Sequence, residues 1–382
     1  MTNIPPELRP IIAQARQQYP QLAALPDEEV AKLIVQAMEP PSSDKELKNM
    51  HPEQLGAIGE QMMHRGSWDK AQMYFFQALE NAERINDVKQ QAKVASMLGR
   101  LCSNRGNFPQ AMILYQQALT LAERIDDRRL MGMISDGMGI VHCAQGGYPQ
   151  AIEYFKKAAG IAEQVGEEQG LAATYSNLGS VYMQQGDFEQ AIQTYKRAME
   201  SSRKVGDDKN LAACYGNLGI VYQRQGRYDL AIEMYQQSLE IALRLDDNAA
   251  SANQYTGLGI VHYQLGNYEA AIQMYQKALE IYERIGNEPD AAKVYGNLAI
   301  VYENMSDVGQ ALTYHHKALE IDERIGDRRS AALTYGNLGT LYHEQGDVAQ
   351  ARTHYEKAKA LFEMVGYDGW EAEAVAQALR QL

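Results

Sequence analysis

The apolar residues of this chain recur with the spacing of amphipathic helices, and the helices come in pairs. The clearest pair spans residues 210–247. The apolar side of its first helix consists of Tyr215, Leu218, Gly219 and Tyr222, which are spaced at i, i+3, i+4 and i+7. A glycine four residues later predicts the exit of this helix, because glycine adopts the left-handed conformation that a helix end needs. A second helical stripe follows. One such pair cannot bury its apolar faces without neighbours.

Small residues at three fixed positions show that the helix pair repeats every forty residues. The first helix carries a glycine, replaced once by Ala299, at Gly59, Gly99, Gly139, Gly179, Gly219, Gly259 and Gly339. The turn between the helices carries another, replaced once by Ser306, at Gly66, Gly106, Gly146, Gly186, Gly226, Gly266 and Gly346. The second helix carries an alanine in all eight copies, Ala71, Ala111, Ala151, Ala191, Ala231, Ala271, Ala311 and Ala351. Such a period without insertions predicts an all-α solenoid of stacked helix-turn-helix units.

The repeat divides the chain into three predicted parts. Residues 50–370 contain eight repeats of forty residues, and residues 371–382 are expected to form a capping helix. Residues 1–49 lie outside the repeat and carry two short apolar stripes. They are interpreted either as a helical cap over the first repeat or as a docking or dimerising element. The open end of a solenoid needs a cap, which favours the first interpretation.

Composition and charge narrow the class of protein. A net charge of −13 argues against nucleic-acid binding, because a phosphate-binding face needs clustered Lys and Arg. The three cysteines are isolated in the sequence, which indicates reduced thiols rather than a disulfide framework. The first residues lack the pattern of a signal peptide, and no apolar run approaches the ~20 residues of a membrane span. We therefore expect a cytoplasmic protein.

The sequence contains none of the familiar arrangements for catalysis. A metalloprotease helix motif, a phosphate-cradling glycine loop and a nucleophile elbow are all missing from it. The eight histidines are dispersed, and His142, His262 and His315 stand where other repeats carry tyrosine, so we interpret them as packing residues. No catalytic residue, metal site or cofactor is expected.

One copy of the repeat resembles the tetratricopeptide repeat position by position. The pattern consists of Tyr175, Leu178, Gly179, Tyr182, Gly186, Phe188, Ala191, Tyr195 and Ala198. The resemblance covers about residues 51–370, and the string Tyr-Gly-Asn-Leu-Gly at 215–219 and 335–339 is similar to the extended variant in kinesin light chains and Leu-Gly-Asn-repeat polarity adaptors. It implies a right-handed superhelix whose first helices line a concave channel. It also implies binding of peptides or protein segments, and no catalysis.

A second stripe on the first helices is directed away from the buried tyrosines and is expected to face this channel. It begins with a column of asparagines, Asn177, Asn217, Asn297 and Asn337. The following turns contribute Ile220, Ile260, Ile300, Met183, Tyr263, Arg224 and His343. A row of isoleucines on a solvated face marks an interaction site, unless these side chains pack between adjacent first helices. The groove should depart from the family where the asparagine column is interrupted, at Ala57, Met97, Gly137 and Gly257.

These residues predict a scaffold or adaptor that binds an extended peptide or a helical segment of a partner protein. A side-chain amide supplies both a donor and an acceptor to a peptide backbone, and peptide-binding members of the family use asparagines at the matching position. In a competing account each asparagine bonds a neighbouring helix. The alternative functions are a peptide-sensing, ligand-gated bacterial regulator and an accessory subunit of an enzyme complex. Against the regulator, the 49 N-terminal residues are few for a DNA-binding head and lack a basic recognition helix.

Overall fold

The structure is a computed structural model that describes residues 44–382, together with Pro26 and Val30. Apart from Val30, the residues of the two stripes predicted within residues 1–43 lie outside the described residues. From residue 44 onward the chain forms eighteen α-helices and no strand. None of these helices is both long enough and apolar enough to cross a membrane. The chain divides into two compact units, residues 1–161 and residues 162–382.

The first unit contains the early helix pairs. Its helices are α1 (Asp44–Asn49), α2 (Pro52–His64), α3 (Trp68–Arg84), α4 (Val88–Asn104), α5 (Phe108–Arg124), α6 (Arg128–Ala144) and α7 (Tyr148–Val165), the last of which continues into the second unit. The short α1 lies against α3, where the Asn81 side-chain amide donates to the carbonyl oxygens of Leu47 at 2.9 Å and Met50 at 2.8 Å. Residues 44–50 are therefore tied to the first repeat by buried polar contacts.

The second unit contains the repeats with the most regular sequence. Its helices are α8 (Glu168–Gln185), α9 (Phe188–Val205), α10 (Asp208–Arg224), α11 (Tyr228–Arg244), α12 (Asn248–Gln264), α13 (Tyr268–Ile285), α14 (Glu288–Asn304), α15 (Val308–Ile325), α16 (Arg328–Glu344), α17 (Val348–Val365) and α18 (Trp370–Gln381). Even-numbered helices are the first helices of their repeats. The final helix α18 buries Val375 in the cluster that contains Tyr355 and Phe362.

The turns explain why each helix stops where it does. Gly226 follows α10 with a φ of 72°, a left-handed conformation that glycine adopts without a Cβ penalty. Ser306 takes the equivalent place in the next-but-one repeat with a φ of 62°, so the turn is kept there although a side chain is present. Between repeats, Asp246 has a φ of 54°, and the Asp247 carboxylate caps α12 by accepting from the backbone N–H of Ala250 at 3.0 Å.

The glycine of each first helix makes room for an aromatic ring of the second helix. A Cβ atom at Gly219 would lie 2.6 Å from the Tyr235 ring, so the two helices could not approach as closely. The repeat that carries Ala299 instead of glycine also carries His315 instead of tyrosine. The histidine ring is smaller than the tyrosine ring. His315 is 1% exposed, which confirms its predicted packing role, and its Nε2 lies 2.6 Å from a carboxylate oxygen of Glu303.

Asp322 on α15 is a buried carboxylate at a position where the other repeats of this unit carry uncharged residues. It is 5% exposed, and burial, with the nearby Asp327 carboxylate, raises the pKa of Asp322 from 3.8 to about 6. The raised pKa means that the folded state disfavours the charged form. The free-energy cost of burying the charged carboxylate is absent below the ordinary pKa of 3.8. It grows as the pH rises from there to the folded-state pKa of about 6, and it is complete above that pH.

Asp322→Asn is therefore expected to stabilise the protein by ~1–3 kcal/mol at pH 8, because each pKa unit corresponds to about 1.4 kcal/mol. At pH 3.5 the gain should vanish. Urea unfolding at both pH values measures this difference, with the exposed Glu240→Gln as a control that should change little at either pH. An equal effect of Asp322→Asn at both pH values would contradict the assignment.

Candidate functional site

The first helices of the second unit share one face, which we call the first-helix face. Helix α10 contacts α8 on one side and α12 on the other, and α12 contacts α14. These contacts skip the intervening second helices, which pack behind their own partners. The side chains of the predicted asparagine and isoleucine columns lie on these first helices, so their surroundings can be compared repeat by repeat.

A cavity of about 690 Å³ opens on this face at α10 and α12. Four predicted site residues line it, namely Asn217, Ile220, Arg224 and Ile260. The structure therefore brings together residues from two consecutive repeats. The remaining predicted residues do not line this cavity and lie elsewhere on the first helices, namely Asn177, Met183, Tyr263, Asn297, Ile300, Asn337 and His343.

Two glycines line this cavity, and each lies close to a side chain of a neighbouring helix. Gly257 interrupts the asparagine column, and a Cβ atom there would lie 2.8 Å from the Tyr235 ring of the preceding repeat. At Gly216 a Cβ atom would lie 3.1 Å from the side-chain oxygen of Gln254. An asparagine in place of Gly257 would thus collide with Tyr235, so the ring and the amide exclude each other at this position.

The polar groups deep in the cavity are paired. The Tyr235 hydroxyl donates to the side-chain oxygen of Gln223 at 2.8 Å, and the Tyr282 hydroxyl donates to Asn253 Oδ1 at 2.6 Å. Burial raises the pKa of both tyrosines, so both hydroxyls keep their protons. The Ser238 hydroxyl donates to the carbonyl oxygen of Ala212 at 2.8 Å. These residues therefore contribute paired, uncharged polar groups to the wall of the cavity.

The predicted asparagines differ in how they are used. Asn177 is engaged in an interaction within the structure itself. Asn217 and Asn297 are half-buried and Asn337 is exposed. Across residues 44–382, none of these last three side chains has a hydrogen-bond partner. Three of the four amides are therefore available for an external backbone.

The predicted apolar row is partly occupied by packing. Ile220, Ile260 and Ile300 are half-buried, and Ile260 and Tyr263 pack against the buried cluster around Tyr275. The Tyr263 hydroxyl also accepts a hydrogen bond from the Asn304 side chain at 3.2 Å. The isoleucines thus contact their neighbours while keeping part of their surface open.

Some of the charged side chains around the cavity have partners within the described chain, and others have none. Lys293 Nζ lies 2.8 Å from Asp290 Oδ1, and this contact holds the pKa of Asp290 below its ordinary value. Asp247 is used as the cap of α12. Lys209 and Arg224, at opposite ends of α10, have no ion-pair partner among the described side chains. The open charge at this cavity is therefore positive.

Several lining residues were missed by the sequence analysis. They are Lys209, Asn253, Gln254 and Lys293. Asn253 and Lys293 lie one turn before the asparagine column, and extending the stripe by that turn would have found them. Gln254 could not have been found by periodicity, because its equivalents in the unit include the buried Thr174 and Cys214. In the part of the chain that is described, no three metal-ligating side chains form a group able to hold a metal ion.

Comparison with known proteins identifies the repeat. The profile described as Tetratricopeptide repeat matches residues 55–124, 130–204, 170–244, 210–284 and 290–364. The chain belongs to the tetratricopeptide repeat family. This confirms the family and the all-α solenoid predicted from the sequence. Among curated protein sequences, none matches this chain.

Solved structures of tetratricopeptide repeat proteins resemble the chain over most of their length. BtubC (BKLC) from P. vanneervenii is 27% identical with a TM-score of 0.52, and the match covers 58% of this chain and 94% of that one. The apo form of the quorum sensor NprR from B. thuringiensis is 15% identical with a TM-score of 0.56, covering 86% and 97%. A Rap protein complexed with Competence and Sporulation Factor is 15% identical with a TM-score of 0.53, covering 86% and 96%. The last two likenesses show the fold alone.

Proposed function

We propose that this tetratricopeptide repeat protein is a scaffold or adaptor that acts by binding and not by catalysis. It would hold an extended segment of a partner protein along the first-helix face of the second unit. The observation that carries this proposal is the set of side-chain amides at Asn217, Asn297 and Asn337, which lack partners in the described chain.

The chemistry of these amides fits a peptide backbone. Each residue of an extended segment presents one N–H donor and one C=O acceptor, and a side-chain amide can satisfy both without regard to sequence. The cavity beside Asn217 adds open apolar surface at Ile220 and Ile260. Backbone contacts would then supply affinity, and the cavity would supply selectivity.

The comparisons support a binding role without naming a partner. The Rap protein was determined in complex with Competence and Sporulation Factor, and NprR is described as a quorum sensor. A ligand-gated regulator therefore remains the second candidate for this chain. It requires that binding at the first-helix face change another activity, whereas a scaffold requires only that two partners be bound.

Replacing the asparagines tests the proposal. Asn217→Ala and Asn297→Ala are each expected to weaken binding of a dodecapeptide, selected on the unaltered protein from a random display library, by ~0.5–1.5 kcal/mol. Their melting temperatures should stay unchanged, because neither amide bonds a described neighbour. Isothermal titration calorimetry and thermal unfolding measure the two effects.

Asn210→Ala is the matched control on the same helix. The Asn210 amide donates to the Ser202 hydroxyl at 2.9 Å and accepts from the Ser176 hydroxyl at 2.9 Å, so its loss should lower the melting temperature. If Asn217→Ala behaved like Asn210→Ala, the asparagine column would be structural. If no peptide were enriched on the protein, the peptide-binding function itself would be wrong.

A further inference from the structure

The first-helix face of the second unit reverses its charge between its two ends. Arg224 at the end of α10 and Glu344 at the end of α16 occupy the same position of the forty-residue repeat. Gln223, which lines the cavity, is likewise replaced two repeats later by Glu303. The first position thus changes from a cation on α10 to an anion on α16, and the second changes from a neutral amide on α10 to an anion on α14.

The positive end lies at the cavity. Lys209 and Arg224 are both exposed and have no ion-pair partner in the described chain. The two nearby acids are already used, since Asp247 caps α12 and Asp290 pairs with Lys293. An incoming carboxylate would therefore meet the unpaired Arg224 at one end of α10 or Lys209 at the other end, although the whole chain carries a net charge of −13.

The negative end is formed by carboxylates on α14 and α16. Glu303 is 30% exposed and is held by the buried His315 from behind, at 2.6 Å. Glu344 is exposed and has no ion-pair partner among the residues described. Two cations of the preceding second helix α15 are engaged elsewhere, because Lys317 lies over the Tyr295 ring and Arg324 pairs with Glu288.

The distance between the two ends sets the length of a bound segment. From α10 to α16 there are three steps between consecutive first helices, and packed helices lie about 8–10 Å apart. The span is therefore about 24–30 Å, which an extended chain covers with about seven to nine residues at about 3.3 Å each. The cavity lies near the positive end of this span.

We infer that the first-helix face binds a segment of about seven to nine residues with a charge reversal along its length. Its acidic end lies over α10, one aliphatic side chain enters the cavity between Gly216 and Gly257, and its basic end lies over α14 and α16. This inference rests on the proposed function and adds the chemistry of the partner. Complementary charges fix the register of the segment and reject segments of uniform charge.

Selection from a random dodecapeptide display library tests this inference on the full chain. Enriched sequences are expected to carry Asp or Glu at one end, Lys or Arg at the other, and an aliphatic residue next to the acidic end. For a selected peptide, Arg224→Glu should weaken binding about threefold to tenfold at low salt, with a smaller effect at high salt. Replacing the peptide's acidic residues by lysine should restore its binding to Arg224→Glu.

Lys196→Glu is the matched control, since Lys196 is an exposed cation on the second helix α9. It makes the same change in net charge away from the first-helix face, so the affinity should change less than twofold. Equal weakening by both variants would overturn the inference. Enriched peptides that depend on Asn217 but show no charge reversal would overturn it while leaving the proposed function standing. Failure to enrich any peptide would overturn both.

Discussion

His315→Tyr is expected to destabilise the second unit by ~1–3 kcal/mol, although tyrosine is what the other repeats of this unit carry at that position. The reason is Ala299, which is fully buried and replaces the glycine against which the tyrosine ring packs elsewhere. At Gly259 an added Cβ atom would lie 2.6 Å from the Tyr275 ring. A tyrosine at 315 would meet such a Cβ atom at Ala299.

The same contact predicts that a second substitution rescues the first. Ala299→Gly alone should cost about 1 kcal/mol, because glycine inside a helix is unfavourable and the smaller His315 ring leaves the space unfilled. Combined with His315→Tyr, it recreates the pair found at Gly219 and Tyr235. The tyrosine hydroxyl can donate to Glu303, as Tyr235 donates to Gln223.

The double variant should therefore approach the original stability, with a coupling energy of ~1–3 kcal/mol between the two sites. Urea unfolding of the two single variants and the double variant gives this coupling directly. Additive effects of the two substitutions would show that residues 299 and 315 do not share one packing space, and the account of the glycine column would be wrong.

Two alanine substitutions at first-helix glycines are expected to have opposite signs. Gly259→Ala should destabilise the protein by ~1–3 kcal/mol, because the Tyr275 ring must move and the surrounding core is closely packed. Gly296→Ala should stabilise it by ~0.5–1 kcal/mol, since alanine favours the helix and reduces the freedom of the unfolded chain. At Gly296 an added Cβ atom meets no atom of another part of the described chain within 4 Å.

Thermal unfolding of the two variants side by side checks this prediction. Both substitutions add one methyl group to a glycine in the middle of a first helix, so helix propensity alone would shift the two melting temperatures equally. A rise in both, or a fall in both, would show that the packing of Tyr275 against Gly259 does not decide the spacing of these helices.

The helix pairs and their family could be predicted because their signals are local and repeated. Each exit glycine, such as Gly226, and each capping residue, such as Asp247, acts within a few residues of its own helix end. Forty-residue repetition then presents the same signals many times. The packing role of His315 could be predicted too, because every other repeat carries tyrosine or phenylalanine at the equivalent position.

The cavity required the tertiary structure. The sequence marks Gly257 as a break in the asparagine column, but it does not show that the Tyr235 ring from the preceding repeat occupies the vacated space. Nor does it show which asparagines lack partners, since Asn177 is engaged within the structure while Asn217 and Asn297 are open. These properties depend on side chains of different helices, such as Tyr235 on α11 and the residue at position 257 on α12.

By itself, then, the sequence determined the helix pairs, their period and the columns that face one another, because these follow from spacing along one helix and from its identical copies. The structure decided which departures from the repeat make a site. A break at one position becomes a cavity only if nothing from the next helix fills it, and a charge stays available only if no neighbour pairs with it. At Gly257 the Tyr235 ring takes the place of the missing side chain, while the space beside Asn217 remains open. Of the cations that line this cavity, Lys293 is paired with Asp290, whereas Arg224 has no ion-pair partner among the described residues.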